Sequence, residues 1–517
     1  MATKEVNISV PPETAADERL LRKAAAKAAG CPEKAINNLQ LLRRSIDARR
    51  GTPLLQLRLQ LYTEDTKPLP PPVFNYQNVI GKPPVIIVGA GPAGLFAALT
   101  LLEKGLKPVI LERGKSVKER KYDIAKLTRE QLVNPNSNWC FGEGGAGTYS
   151  DGKLYTRSNK RGNIGHILQQ LVLHGAHPDI LTEAHAHIGT DRLPHIIANI
   201  RETITTHGGE YYFDTQVNDL MVKNGEVTGV KTVDGTSYEG VAVILATGHS
   251  ARNIYELFDR QNWALEAKPF AMGVRAEHPQ SLINHIQYHG YKGASASLLP
   301  AATYSLTTQV NGRGVFSFCM CPGGIMVPAA TAPGELVVNG MSNSQRNSPY
   351  ANAGIVVQVN PADYAGNSAL AGLQFQQTVE RSMFAAANNS QRAPAQRMID
   401  FINKKAAASL RKTSYIPGIT AAPLHELLPG FITDSLRQAF RDFDKKMHGY
   451  LSADAMLVAV ESRTSSPVRI PRDFDTFEHI QLKHLYPCGE GAGYAGGITS
   501  SAIDGVNCAE KIASKQR

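Results

Sequence analysis

Cysteine is scarce: six in 517 residues, which excludes a disulfide scaffold. Glycine (45) and proline (30) stay near average usage, so collagen-like and low-complexity chains are excluded too. The first ten residues hold no apolar stretch of signal-peptide length. No internal repeat, nucleophile elbow or Walker loop is present. An excess of one charge is small. Lys+Arg 55 against Asp+Glu 45 gives +10, which permits an anionic ligand or nucleic acid without requiring either. What remains is a globular composition, 42% hydrophobic and 19% charged, with room for roughly three domains at ~150 residues each. The expectation is a cytoplasmic protein with reduced thiols and no membrane association.

Residues 1–75 read as a small α+β domain followed by a linker. Leu55, Leu57, Leu59 and Leu61 alternate with Gln56, Arg58, Gln60 and Tyr62, the period of a half-buried strand. Ala15 to Ala29 reads as a helix stopped by Gly30. The basic run Arg43, Arg44, Arg49, Arg50 lacks interleaved aromatics, and a solvated face around Gly51 is the better reading. Pro68, Pro70, Pro71 and Pro72 form a stiff linker. From Pro84 short apolar strands alternate with helices, as in an α/β domain. That pattern assigns residues 81–270 and 455–517 to one Rossmann-like domain with a parallel sheet. Residues 271–454, rich in Gly, Ser, Asn, Gln and Ala, form an inserted α+β domain, with strand-like pieces at Leu336–Asn339 and Ile355–Val359.

Val85 to Leu102 is 18 uncharged residues, the lower edge of membrane-span length. Its glycines explain it better. Val85–Val88 is a buried strand, Gly89 makes a tight turn, and Gly91 lets the backbone approach a pyrophosphate. Gly94 lets the next helix pack on the strand. Pro92 and Ala93 form the first turn of that helix, whose N–H groups and dipole face the phosphates. A second strand, Val109–Leu111, ends in Glu112 and Arg113, with Glu112 lying 23 residues after Gly89. The Glu112 carboxylate can accept from both ribose hydroxyls of an adenosine. Glu here argues against a 2′-phosphate, and so against NADP. The whole order predicts dinucleotide binding.

Three further stretches say which dinucleotide. Phe141–Lys153 is a second Gly-rich loop, with Gly144, Gly145, Ala146, Gly147 and Thr148 at its centre. Val241–Gly248 is a buried strand ending in Ala246-Thr247-Gly248. Leu485–Gly505 carries Gly489-Glu490 and Gly496-Gly497-Ile498-Thr499. Together these resemble the glutathione-reductase-type FAD proteins. More closely, the chain resembles a bacterial family of FAD-dependent (NAD/FAD-utilising) dehydrogenases. That match is carried by Phe141–Lys153, Phe318–Gly324, Asn339–Asn343, Glu461–Arg469 and Cys488–Gly505. The resemblance implies that Gly489 and Glu490 hold the ribityl and phosphate part of FAD, with Glu where the broader class has Asp. It also implies that Ile498 and Thr499 open a helix aimed at the flavin pyrimidine edge, and that Val217 meets the adenine through its backbone.

On the substrate side, Val315, Ser317, Cys319 and Cys321 fall on one strand face, so the two thiols can approach each other. Small buried side chains are the better reading, with a redox dithiol second. A zinc site needs about four ligands and no second Cys pair exists, so no metal is expected. Arg463 and Arg469 flank a Thr-Ser-Ser-Pro segment and suit a carboxylate or phosphate clamp or structural ion pairs. His249, His278, His285 and His289 read as structural. The expected function is an FAD-dependent oxidoreductase, a dehydrogenase or reductase passing hydride through flavin N5 to or from a small molecule. With one nucleotide fingerprint, an NAD(P)H donor would bind transiently. Catalytic candidates are Cys319, Cys321 and Arg463. An FAD-dependent RNA-modifying protein and a flavin-binding redox sensor without turnover are the alternatives. Nucleic acid is disfavoured, and no oligomeric state is assigned.

Overall fold

The computed structural model describes residues 3–49, 51–63, 70, 72–155, 162–293, 296–406 and 409–516. Pro68 and Pro71 of the expected linker, and Arg50 of the basic run, lie outside the described residues. The apolar runs seen in the sequence stack side by side as a five-stranded parallel sheet. Its order is Leu485–Pro487, Ala242–Leu245, Pro84–Val88, Lys107–Leu111, Glu210–Tyr212. Val85–Val88 and Ala242–Leu245 are buried throughout, as strands covered on both faces must be. The chain starts in the middle strand and adds neighbours first on one side, then on the other. Strand order therefore reverses beside Pro84–Val88, and the crevice at its carboxyl end is where such sheets take ligands.

Two helices cover one face. Pro92–Glu103 starts with Gly91 as N-cap and Pro92 as first helical residue, where its missing N–H costs nothing. Ile498–Lys515 lies against it, and the contact is close. A Cβ on Gly505 would sit 2.0 Å from the Ala93 carbonyl oxygen, so only glycine fits there.

The second layer is a seven-stranded mixed sheet. Its order is Thr307–Val310, Arg313–Cys321, Tyr350–Val359, Phe270–Pro279, Met456–Glu461, Ala393–Arg397, Ile419–Ala421. Its core joins Val274, Val315, Ile355 and Leu457 to Phe440 and Phe443 of the helix Gly430–Lys446. Met456–Glu461 pairs with Phe270–Pro279 and Ala393–Arg397. The return to the first layer thus follows Glu461, later than the boundary at 455 read from the sequence. The apolar character of this strand suits either layer, and only its partners decide. The Leu336–Asn339 piece is likewise displaced, to a strand at Val338–Ser342.

The N-terminal residues form a three-stranded antiparallel sheet, Thr3–Val10, Leu54–Tyr62, Asn38–Asp47, backed by the helix Glu18–Ala29. Leu57, Leu59 and Leu61 point into its core. The helix starts three residues later than expected, because the Asp17 side chain caps it by accepting from Leu20 N at 2.9 Å. Arg44 bonds the carboxylate of Glu183, and its backbone exchanges bonds with Thr182 and Ala184 at 2.8 and 2.9 Å. Arg49 pairs with Asp47 at 2.6 Å. Two members of the basic run thus have carboxylate partners, both at the surface.

Candidate active site

The carboxyl ends of Pro84–Val88, Lys107–Leu111 and Ala242–Leu245 open onto a cavity of about 350 Å³, within the usual ~300–1,000 Å³ of small-molecule sites. Gly89, Gly91, Pro92, Ala93, Glu112 and Arg113 line it, as do Ala246, Thr247 and Gly248. So do Gly145, Ala146 and Gly147 of the Gly-rich loop, Val217, and Glu490, Gly496, Gly497 and Ile498. The helices Pro92–Glu103 and Ile498–Lys515 both begin here, and neither has a side-chain cap. Each presents first-turn N–H groups and a positive dipole end to the cavity.

Five of the expected residues stand behind the wall. Gly94 is buried where a Cβ would lie 2.0 Å from Gly89 O. Gly144 is filled from behind by Thr148, 2.1 Å from where its Cβ would be. The Thr148 hydroxyl donates to Glu143 O at 2.8 Å. Gly489 N donates to Asp504 Oδ2 at 2.7 Å, and the Thr499 hydroxyl donates to Leu154 O at 2.8 Å. In this structure these residues shape the loops from behind the cavity wall.

Glu112 differs from expectation in detail. Its Oε2 accepts from Ala90 N at 2.9 Å, and its Oε1 accepts from Gly114 N and Gly142 N, each at 2.9 Å. A carboxylate has about four acceptor positions, so one remains, on Oε2. One ribose hydroxyl can use it, not two. The carboxylate mainly braces the turns around the cavity. Beside it the Arg113 guanidinium lies 4.1 Å over the Phe141 ring, and its buried Nε has no protein acceptor. Val217 O accepts from Asn253 Nδ2 at 3.2 Å.

FAD is a group that this wall fits. A Cβ on Gly91 would find nothing nearer than Gly145 Cα at 4.0 Å, and at Gly248, Gly496 and Gly497 nothing lies within 4 Å. Bare backbone thus borders free space beside two uncapped helix ends, which suits an anionic, extended dinucleotide. Glu490, at the same wall, is pushed up to about 7 by burial, against the pull of Lys268.

The other end of the cavity is built from side chains. Phe318 and Cys319 come from the second layer, Asn339 from Val338–Ser342 of a separate two-stranded sheet, and Asp151 and Lys153 from the Gly-rich loop. Lys153 Nζ lies 3.0 Å from Asp151 Oδ2, and Arg346 grips the same carboxylate at 2.6 and 3.0 Å. Burial opposes ionisation of Asp151, yet these two cations hold its carboxyl well below the usual range. Arg275, fully buried, pairs with Glu461 at 2.8 Å and donates to Asn352 Oδ1 at 2.7 Å, Cys319 O at 2.8 Å and Cys321 Sγ at 3.4 Å. Burial raises Glu461 to about 7 in spite of Arg275.

The strand carrying the thiols is not regularly alternating. Cys319 has φ +45°, and pairing with Tyr350–Val359 slips between Phe318 and Cys321. Cys319 is half-buried at the cavity, while Cys321 is buried behind it. The sequence offered no charged neighbour for this pair. The structure brings Lys153 and Arg275 to it from distant segments. Their signal was there only in part: Arg275 is a lone charge in the apolar run Phe270–Ala276, and Asp151 and Lys153 end the Gly-rich loop.

Arg463 borders the cavity, but its guanidinium is engaged elsewhere. It bonds Glu380 at 2.9 and 3.0 Å, Glu335 at 3.1 Å and the Thr331 hydroxyl at 2.6 Å. Arg252 bonds the same two carboxylates at 2.6 Å. Arg463 is therefore a structural ion-pair residue and no substrate clamp, because two buried carboxylates claim its donors. Arg469 pairs with Glu266 at 3.5 Å. His249 lines the cavity; burial lowers it to about 4, so it is neutral at pH 7. Among the described residues one cluster, Cys488, Asp504 and Cys508, has metal-like spacing. Arg472 already supplies its cation, bonding Asp504 at 2.6 and 3.0 Å and lying 3.6 Å from Cys508 Sγ.

Sequence comparison gives this geometry its class. Residues 83–262 match the pyridine nucleotide-disulphide oxidoreductase model, and 269–464 match the C-terminal domain-like model of FAD-dependent proteins. Residues 2–62 match a domain of unknown function. An uncharacterized protein of Clostridium beijerinckii (strain ATCC 51743 / NCIMB 8052) is 39% identical over 521 residues, covering 96% of each chain. The chain belongs to the family of that protein, a family of FAD-dependent oxidoreductases. Solved structures align more loosely. The flavin-dependent brominase Bmp2 is 13% identical, with a TM-score of 0.37 over 84% of this chain and 79% of that one. Glycine oxidase from Bacillus cereus is 14% identical, with a TM-score of 0.30 over 84% and 96%. No helix among the described residues is long and apolar enough to cross a membrane.

Proposed function

We propose that the chain is an FAD-dependent dehydrogenase or reductase of the glutathione-reductase type, acting on a small molecule that meets the cavity at its Cys319 and Lys153 end. The observation that carries this reading is the cavity's two unlike ends: uncapped helix termini with bare backbone at one, and a thiol with fixed charges at the other. When bound, FAD supplies two-electron hydride exchange at its N5 atom. Gly91, the first turn after Pro92 and the Gly145–Gly147 backbone hold the pyrophosphate. Glu112 takes one ribose hydroxyl on Oε2, and Val217 borders the adenine. Glu490 takes a ribityl hydroxyl. The Ile498 helix end places its N–H groups and dipole where negative charge gathers on reduction.

The remaining residues serve the substrate. Phe318 of the second layer and Asn339 of the two-stranded sheet close the cavity and keep water from the reacting face. Lys153, held by Asp151, is a fixed cation that orients an anionic or carbonyl group of the substrate. A nicotinamide donor binds transiently, since one glycine fingerprint serves one dinucleotide. The test is to purify the protein, denature it and identify the released cofactor by chromatography. FAD is expected; FMN, or NAD alone, would overturn the reading. Anaerobic titration of the bound flavin with NADH, NADPH and a metabolite panel then identifies the donor.

A further inference from the structure

We propose that a second cavity, behind the Lys153 wall, binds a phosphate-bearing small molecule at Arg192 and Arg346, either the nicotinamide donor or a phosphorylated substrate. The site stands without the cofactor; that its occupant reaches the flavin rests on the FAD reading above. This cavity, of about 1190 Å³ against 350 Å³, opens where the N-terminal sheet, the first layer and the inserted domain meet. One ribbon of chain separates the two spaces. Leu154 N donates to Ala186 O at 2.9 Å, Ile188 N to Gly152 O at 3.1 Å and Gly189 N to Asp151 O at 3.1 Å. Asp151, Lys153 and Tyr155 line the main cavity, and residues 184–188 of the paired segment line the second. Hydrogen-bonded strands lie ~4.8 Å apart, so the two spaces are close neighbours. At the end of the ribbon Tyr155 packs on His185, ring centroids 5.2 Å apart, and both side chains are exposed. A molecule in the second cavity can turn over this rim toward Lys153.

The lining is positive once its own pairs are set aside. Arg44 bonds Glu183, Arg49 pairs with Asp47 at 2.6 Å and His177 lies 3.3 Å from Asp179, so all three carboxylates of the lining have partners within it. Two guanidinium groups remain. Arg192 is exposed and makes no ion pair among the described residues. Arg346 commits Nε and Nη2 to Asp151, at 3.0 and 2.6 Å, and its Nη1 has no acceptor among the described residues. A guanidinium carries five N–H donors in a planar fork, so one edge of Arg346 is left over. That edge belongs to the second cavity, because Arg346 lines it and not the first. Ser344 draws the two arginines to one corner. Its N–H and hydroxyl each donate to Asp191 at 2.7 Å, next to Arg192, and its carbonyl lies 3.2 Å from His187 Nε2, two residues before Arg346. Two guanidinium groups exceed what a single carboxylate satisfies. A phosphate, with about two charges and three acceptor oxygens, suits both. With FAD in the main cavity, the second one gives the rest of the reacting partner its room.

The test uses the flavin-loaded protein, so that the main cavity is filled. Calorimetric titration with pyrophosphate should show binding to wild type. Arg192→Ala, a change at an exposed side chain that leaves the fold intact by circular dichroism, should weaken it about tenfold or more. Arg346→Lys keeps a cation beside Asp151 but loses the fork, and should weaken binding as well. Anaerobic mixing with NADH and NADPH separates the two sources. If either reduces the flavin, and excess ADP slows this in wild type and not in Arg192→Ala, the occupant is the donor. If neither reduces it, or both proteins are reduced alike, while pyrophosphate still depends on Arg192, the phosphate belongs to the substrate. No pyrophosphate binding at millimolar concentration, or equal binding by wild type and both variants, would overturn the proposal. A protein without flavin absorbance at the outset would sink the FAD reading alone, since the difference between wild type and Arg192→Ala still reports on the second cavity.

Discussion

The two ends of the cavity are made of different material. One end is lined by backbone: glycines, two helix termini and strand ends. At the thiol end the chain uses Lys153, Asp151, Cys319 and Asn339, kept in place by Arg275 and Arg346. Backbone recognition needs contiguous residues and leaves a spacing that can be read locally. Side-chain recognition is assembled from six segments between residues 150 and 461, each ordinary by itself.

The largest expected effect lies at the backbone end. Gly91→Val should abolish FAD binding while leaving the fold intact. Gly91 has an ordinary φ of −76°, and a Cβ there meets only the cavity, in the space the proposed function gives to the pyrophosphate. Circular dichroism and flavin content measured together check this, and a yellow variant would break the comparison. Next is the clamp that joins the layers. Glu380 is fully buried and serves Arg252, Arg463 and Ser462. Burial alone would raise its pKa, but Arg463 and Arg252 hold it ionised at about 2. Glu380→Ala leaves two guanidinium groups short of a carboxylate and should cost about 3–5 kcal/mol in denaturant unfolding.

A smaller effect distinguishes Glu490. Its folded pKa of about 7 lies above the ordinary 4.5, so the folded apoprotein holds the proton longer than the unfolded chain. Its contribution to stability is complete below about pH 4.5 and is lost as pH rises through about 7. The stability of wild type relative to Glu490→Gln should therefore fall across that window, measured by urea midpoints. A difference that is flat with pH would mean this carboxyl is well solvated. The smallest effect concerns the Ile498 helix end. Ile498→Pro removes one N–H while keeping the helix geometry. A dipole contact of about 0.3–2 kcal/mol corresponds to tens of millivolts at most, since ~1.4 kcal/mol is about 30 mV for two electrons. The flavin potential should fall by that much, and an unchanged potential would mean this end does not face the flavin ring.

What was legible in the sequence follows the same division. The strand, glycine triplet, helix and acid from Val85 to Glu112 were readable because the fold there is local. Ile498 and Thr499 open a helix as the motif implies, whereas the bonds of Gly489 N to Asp504 and of the Thr499 hydroxyl to Leu154 depend on tertiary packing that the motif does not show. The choice between a clamp and an ion-pair residue at Arg463 is not legible in the sequence, because its two carboxylates lie 83 and 128 residues away. Strict alternation through Cys319 and Cys321 ignored a bulge, and bulges have no sequence signal beyond the partner strand. Lys153 ends the Gly-rich loop, yet only the fold brings Arg346 to the Asp151 carboxylate it shares.

The four-residue network of Arg252, Glu335, Glu380 and Arg463 bears on how such enzymes change over time. Arg252 belongs to the nucleotide layer, Glu335 and Glu380 to the inserted one, and Arg463 to the return crossing. A foreign insert grafted onto this scaffold would arrive without those two acids and strand two positive groups in a dry interior. Recombination of whole modules is thereby penalised, and the two layers should be inherited as one unit.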